Sequence, residues 1–179
     1  MKNNFYLKIY VDSTFNPKSK EAYCCFQLEG FIGTRIKECK IISMGISSDS
    51  AFSEYLGIEK SLMQVEKYLR NNKISHSKIN IDLFTDLQVL PRQYKKWIPP
   101  PKETKLIHSF SRICEFLKKF KNADIFWVER KNNPAGKILE RFIKEGKEKI
   151  KTGKNSFLND DYKITFKDLF ERSDEYINI

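Results

Sequence analysis

Asp12, Glu54 and Asp86 are the residues of this chain whose type and placement point to chemistry. Asp12 follows an aromatic and β-branched run at residues 5–11, and Asp86 follows a second strand-like run at residues 79–85 that alternates at first. Two strand-end carboxylates can converge on one ion if their strands are parallel neighbours, about 4.8 Å apart. Uncompensated, such like charges would push one pKa up strongly, so the pair calls for a hard divalent cation or a shared proton. Open α/β sheets also bind ligands at the carboxyl ends of their strands. Glu54 falls inside the helical arc of Ala51, Tyr55, Ile58, Leu62, Val65 and Leu69, with Glu59 and Glu66 at its edge. An acid on a buried face needs a partner, and a cation shared with the two aspartates would supply one. The alternative is an acid facing solvent in the helix's first turn, where the dipole favours it.

The elements that must position these acids can be read from period and punctuation. Residues 5–11 form a strand that stops at Asp12, because Asp12, Ser13, Thr14, Phe15, Asn16 and Pro17 are turn-rich. Residues 22–29 and 36–46 are two further strands around Gly30 and Gly33, the spacing of an antiparallel hairpin. Residues 49–71 switch to helical period, with Ser48 or Asp49 as N-cap. A fourth strand at 79–86 is followed by a short helix at 87–97 and a stiff loop at Pro99, Pro100 and Pro101. Helix resumes near Glu103 with a stripe of Ile107, Phe110, Ile113, Cys114, Leu117 and Phe120; a fifth strand spans 124–128 and a last helix 134–150. The order βββαβ(α)αβα is that of one α/β domain over residues 1–151. Residues 152–179 read as a separate acidic-aromatic appendage, too apolar for a disordered tail and suited to packing on the body or on a protein partner.

A chain of 179 residues with 40% hydrophobic content supports one sizeable core. Its net charge is +10, and residues 156–179 hold six acids against Lys163, Lys167 and Arg172, which leaves 30 bases against 17 acids in residues 1–155. That excess favours a polyanionic partner such as nucleic acid, although a lysine-rich solvated surface gives the same count. Cys24, Cys25, Cys39 and Cys114 lack paired C-x-x-C spacing, and with two histidines the chain offers no zinc constellation, so the cysteines read as reduced core residues. No run approaches the roughly 18 apolar residues of a membrane span, and the start lacks a cleavable leader; the expectation is a soluble, intracellular, cytoplasmic protein without a membrane partner.

Residues 9–13 (Ile9, Tyr10, Val11, Asp12, Ser13) with Asn16 and Pro17, residues 53–59 around Glu54, residues 83–86 ending on Asp86, and residues 127–139 together resemble the type 1 ribonuclease H family. The resemblance covers residues 5–145. It implies a mixed five-stranded sheet, three antiparallel strands then two parallel ones, flanked by helices. It also implies an endonuclease that hydrolyses the RNA strand of RNA/DNA hybrids by two-metal catalysis, with Mg²⁺ or Mn²⁺ held by Asp12, Glu54 and Asp86. The basic segment at residues 92–121, with nine bases against Glu103 and Glu115, is similar in position to a substrate-gripping segment of some family members. Lys95, Lys96 and Trp97 are its contact candidates, and Ser13, Asn16, Arg130, Lys131 and Asn133 are further ones. For the basic segment the alternative is a solvated helix face with Trp97 in the core, and for Arg130, Lys131 and Asn133 an ordinary polar turn.

Two departures from the family pattern matter. Ser13 stands where a glycine usually follows the first aspartate, which bears on how closely substrate backbone approaches. Lys137 stands where the family's fourth acid belongs, when Asn133 and Leu139 are aligned with the last motif. Three readings of Lys137 stay open: loss of the second metal and of catalysis, an ammonium acting in the metal's place, or replacement of the missing ligand by Glu140 or Glu129. Two rivals to the hybrid nuclease follow, an inactive module of the same fold that binds nucleic acid or a protein, and a nuclease of that fold with another substrate.

Overall fold

The computed structural model describes residues 5–151, with side chains described to residue 145; the appendage expected at 152–179 lies outside the described residues. Strand β1 (Phe5–Phe15) is central to one five-stranded sheet of order β3-β2-β1-β4-β5. It pairs antiparallel with β2 (Glu21–Phe31), which pairs antiparallel with β3 (Arg35–Ile46). On its other side β1 pairs parallel with β4 (Ile79–Thr85), which pairs parallel with β5 (Asn122–Trp127). This is the mixed sheet that the family resemblance implies, three antiparallel strands then two parallel.

Alternation along β1 assigns the two faces. Leu7, Ile9 and Val11 are buried in the main core with Ile58, Leu62, Val65 and Leu69 of α1 (Ser50–Asn71) and Ile113, Phe116 and Leu117 of α3 (Thr104–Leu117). Tyr10 faces the other way, where Cys25, Cys39 and Ile41 meet Ala135 and Leu139 of α4 (Pro134–Lys151). Tyr10, Phe84 and Phe126 stack in a row across β1, β4 and β5 on that face, with centroids 4.7 and 5.3 Å apart.

Several expectations need adjustment. The β1 strand does not stop at Asp12 but continues to Phe15, because β2 keeps pairing with it after β4 has ended; the turn comes at 16–20, where Asn16 Oδ1 accepts the N–H groups of Lys18 and Ser19. Asp49, not Ser48, caps α1, its Oδ1 accepting the Phe52 N–H at 2.7 Å. The helix expected at 87–97 is shorter, α2 (Val89–Tyr94). On α3 the buried stripe is rotated: Leu106, Ser109 and Phe116 face inward and Ile107 is exposed. The cysteines are free, with Cys24, Cys25 and Cys39 buried.

Glu59 is the larger correction. It lies not at the edge of the buried face but within it, at 6% exposure, accepting from Ser109 Oγ at 2.8 Å and Arg112 Nη1 at 2.7 Å. It belongs to a ladder in which Lys105, Arg112 and Lys119, seven residues apart, meet Asp49, Glu59 and Glu66 along α1. Those three bases and Lys95, which meets Asp124 at 3.3 Å, are engaged with acids of the fold, so the basic segment is not one continuous cationic groove.

Candidate active site

The sheet register brings the first two acids together. Val11 and Thr85 are the last paired residues of the parallel β1–β4 ladder, and Asp12 and Asp86 follow them. The Tyr10–Phe84 stack shows the side chains two positions earlier meeting on the α4 side. Glu54 comes from the opposite layer. Helix α1 crosses β1 so closely that a Cβ on Gly57 would collide with Ser13 Oγ and lie 2.9 Å from Cys24 Cβ. Glu54, three residues earlier on that helical face, is therefore carried to the rim where Asp12 lies. Ser13 at the expected glycine position turns its side chain into this α1 contact.

Electrostatics records the convergence. Burial raises the Asp12 carboxyl to about 6, and the charge of Asp86 adds to it. Burial likewise raises Glu54 to about 7, reinforced by Asp86 and Asp12. Arg130 opposes the shift at both acids, and Glu140 adds to it at Asp12.

Asp12 is 4% exposed, and its oxygens are treated unequally. Oδ1 accepts the Ser13 N–H at 2.9 Å, whereas Oδ2 is buried without a hydrogen-bond partner. A Cβ on Gly136 would lie 2.9 Å from Oδ2, so the absence of a side chain in the first turn of α4 is what leaves that oxygen its space. Buried carboxylate oxygens ordinarily have donors or a cation, and an all-oxygen set of this kind suits Mg²⁺ or Mn²⁺. Among the described residues no group of three or more His, Cys, Asp or Glu side chains is already gathered tightly enough to hold a metal. The acids are thus electrostatic neighbours and not a closed ligand set.

The other candidates divide. Asn133 is fully buried: its Nδ2 donates to the Val11 carbonyl at 2.8 Å and its Oδ1 accepts the Ala135 N–H at 3.2 Å. It caps α4 and ties it to β1 one residue before Asp12, so its amide positions the acid and is not presented to a ligand. Asn16 shapes the hairpin turn. Arg130 lies among the acids, its Nε 3.6 Å from Glu140 Oε1, while Lys131 pairs with Glu129 at 2.8 Å. Lys137 is exposed. Lys95 packs over the Trp97 and Phe126 rings, and Trp97, at 71% exposure, is on the surface and not in the core. Lys96 makes this possible by ending α2 in the left-handed region (φ 60°), with the Trp97 N–H returning to the Arg92 carbonyl. A residue without a site assignment from sequence is Trp127, whose Nε1 donates to the Asp86 carbonyl at 3.2 Å. Its place at the end of β5, next to the fourth strand's end, was the available signal.

Comparison of the structure with solved proteins gives the fold its class. The chain resembles the ribonuclease H1 of the halophilic archaeon Halobacterium salinarum NRC-1 at 17% identity, with a TM-score of 0.62 and 78% of this chain and 98% of that one covered. It resembles the LC11 ribonuclease H1, solved in complex with RNA/DNA hybrid, at 16% identity and TM-score 0.61, covering 74% of this chain and 92% of that one. The N-terminal ribonuclease H domain of a Mycobacterium tuberculosis protein matches at 13% identity and TM-score 0.56, covering 79% and 99%. No family model and no curated protein matches the sequence. The protein has a ribonuclease H-like fold.

Proposed function

We propose that the protein is a divalent-metal-dependent nuclease that hydrolyses the RNA strand of RNA/DNA hybrids, with Asp12, Glu54 and Asp86 as its acids. The observation that carries this reading is the buried, partnerless Asp12 Oδ2, in a carboxyl that burial first and the charge of Asp86 second raise to about 6. A bound Mg²⁺ would supply an activated water and neutralise charge on the scissile phosphate during in-line displacement. The chain's own contribution is placement. Asp12 lies on β1 and Asp86 directly follows β4, its parallel neighbour; Asn133 fixes the α4 end against β1, and α1 delivers Glu54. Arg130 offers a guanidinium at the same rim for phosphate, and the exposed Trp97 a ring for stacking. The hybrid as substrate is supported by the shared fold of the LC11 enzyme, solved with RNA/DNA hybrid.

Lys137 favours a second reading, a binding module without catalysis, because an ammonium cannot ligate a cation. Labelled RNA/DNA hybrid, double-stranded RNA, single-stranded RNA and DNA incubated with Mg²⁺ or Mn²⁺ separate the two. Hybrid cleavage by the wild type, lost in Asp86→Asn, supports the nuclease. Hybrid binding with no substrate cut under either metal leaves the binding module.

A further inference from the structure

We propose that Glu140 is a further carboxylate of this site, kept beside Asp12 by Arg130 and available to a second divalent cation. The inference rests on reading Asp12, Glu54 and Asp86 as metal ligands, and it concerns which group on α4 joins them.

Gly136 marks the side of α4 that meets Asp12, since a Cβ there would lie 2.9 Å from Oδ2. Residues four apart share a helical face, so Glu140 follows Gly136 on that side. Lys137 is turned by 100° from Gly136 and is exposed. Arg130 closes the group: its carbonyl oxygen lies 3.6 Å from the same Cβ position, and its Nε lies 3.6 Å from Glu140 Oε1. Asp12, Gly136, Arg130 and Glu140 are therefore contiguous, and the Glu140 charge is felt at Asp12.

A separate observation points to a ligand among them, namely the buried Asp12 Oδ2 without a donor. The Arg130–Glu140 pair is mostly exposed on both sides, 57% and 65%, and such pairs are weak enough to exchange partners. Glu140 can thus turn from a guanidinium to a cation at little cost, and the added charge raises affinity for a hard metal. Glu129, the other acid near this loop, is taken up by Lys131 and Asn132 on its own turn.

Calorimetric titration of the full chain with Mn²⁺ at pH 8 tests this with Glu140→Gln, Glu129→Gln and Asp86→Asn, each checked for wild-type circular dichroism. The expected wild-type isotherm has a tighter and a weaker step. Glu140→Gln should weaken the second step by about tenfold or more and leave the first in place, whereas Asp86→Asn weakens the first. Glu129→Gln should titrate like wild type. If Glu140→Gln titrates like wild type while Asp86→Asn does not, Glu140 is no ligand and the three-acid site stands. If the wild type binds no Mn²⁺, the three-acid reading falls and takes this inference with it.

Discussion

A carboxylate that burial raises toward neutrality stores a pH dependence with a definite sign. The Asp12 carboxyl at about 6 and that of Glu54 at about 7 lie above the unfolded values of about 3.9 and 4.3. Between pH 4 and about 7 the native state therefore binds more protons than the unfolded chain, so these two acids favour folding below that window and cost stability as pH rises through it. Asp12→Asn removes one of the two penalties. With chelator present, the variant's Tm should exceed that of the wild type at pH 8, and the gap should narrow as pH falls through about 6 and close near pH 4; a gap independent of pH would show that Asp12 is not held in this way. Mg²⁺ should raise the wild-type Tm chiefly at the alkaline end, since it competes with the same protons.

Among the elements, the contact between α1 and β1 decides how Glu54 reaches Asp12. Gly57 permits it, and Ser13 fills the space that the missing side chain leaves. Gly57→Ala should destabilise the protein by about 1–3 kcal/mol through overpacking and should displace Ser13 beside the acid. Adding Ser13→Gly should return part of that loss, since the collision is with Ser13 Oγ, while Cys24 Cβ remains in the way. Urea melts of the two single variants and the double one give the coupling, and strict additivity would rule the contact out. Helix α1 itself was readable from its apolar period and from Asp49. Which of its acids is buried was not, because Glu59 owes its burial to Ser109 and Arg112 on another helix, fifty residues away in the chain.

For the molecule as a whole, the positive excess outside residues 156–179 is distributed unevenly, and part of it is used internally by the ladder between α1 and α3. What remains still predicts counterion release, so hybrid affinity should fall linearly in a log–log plot against salt, with a slope of about 0.9 for each phosphate neutralised. Trp97 separates stacking from charge. Being 71% exposed, it can be replaced by alanine with a stability change within about 0.5 kcal/mol. If it stacks on a base or sugar, hybrid binding should weaken by about 1–3 kcal/mol with an unchanged salt slope. Fluorescence anisotropy at several salt concentrations reads both, and unchanged affinity would leave Trp97 outside the interface. Among the described residues no helix is long and apolar enough to cross a membrane.

The sequence alone determined the element order, because apolar period and turn chemistry are local: five strands and the main helices lie close to their expected places, and Asp12 and Asp86 stand just past the end of the parallel β1–β4 pairing. Tertiary structure decided what depends on distant partners. It carried β1 past Asp12, because β2 continues the pairing that β4 gives up. It turned Asn133 into a buried clasp between α4 and β1, and it paired Arg130 with Glu140 where the charges of both act on Asp12. Spacing along one chain cannot supply such facts, since burial and charge coupling belong to pairs of residues that only the packed sheet and helices bring together.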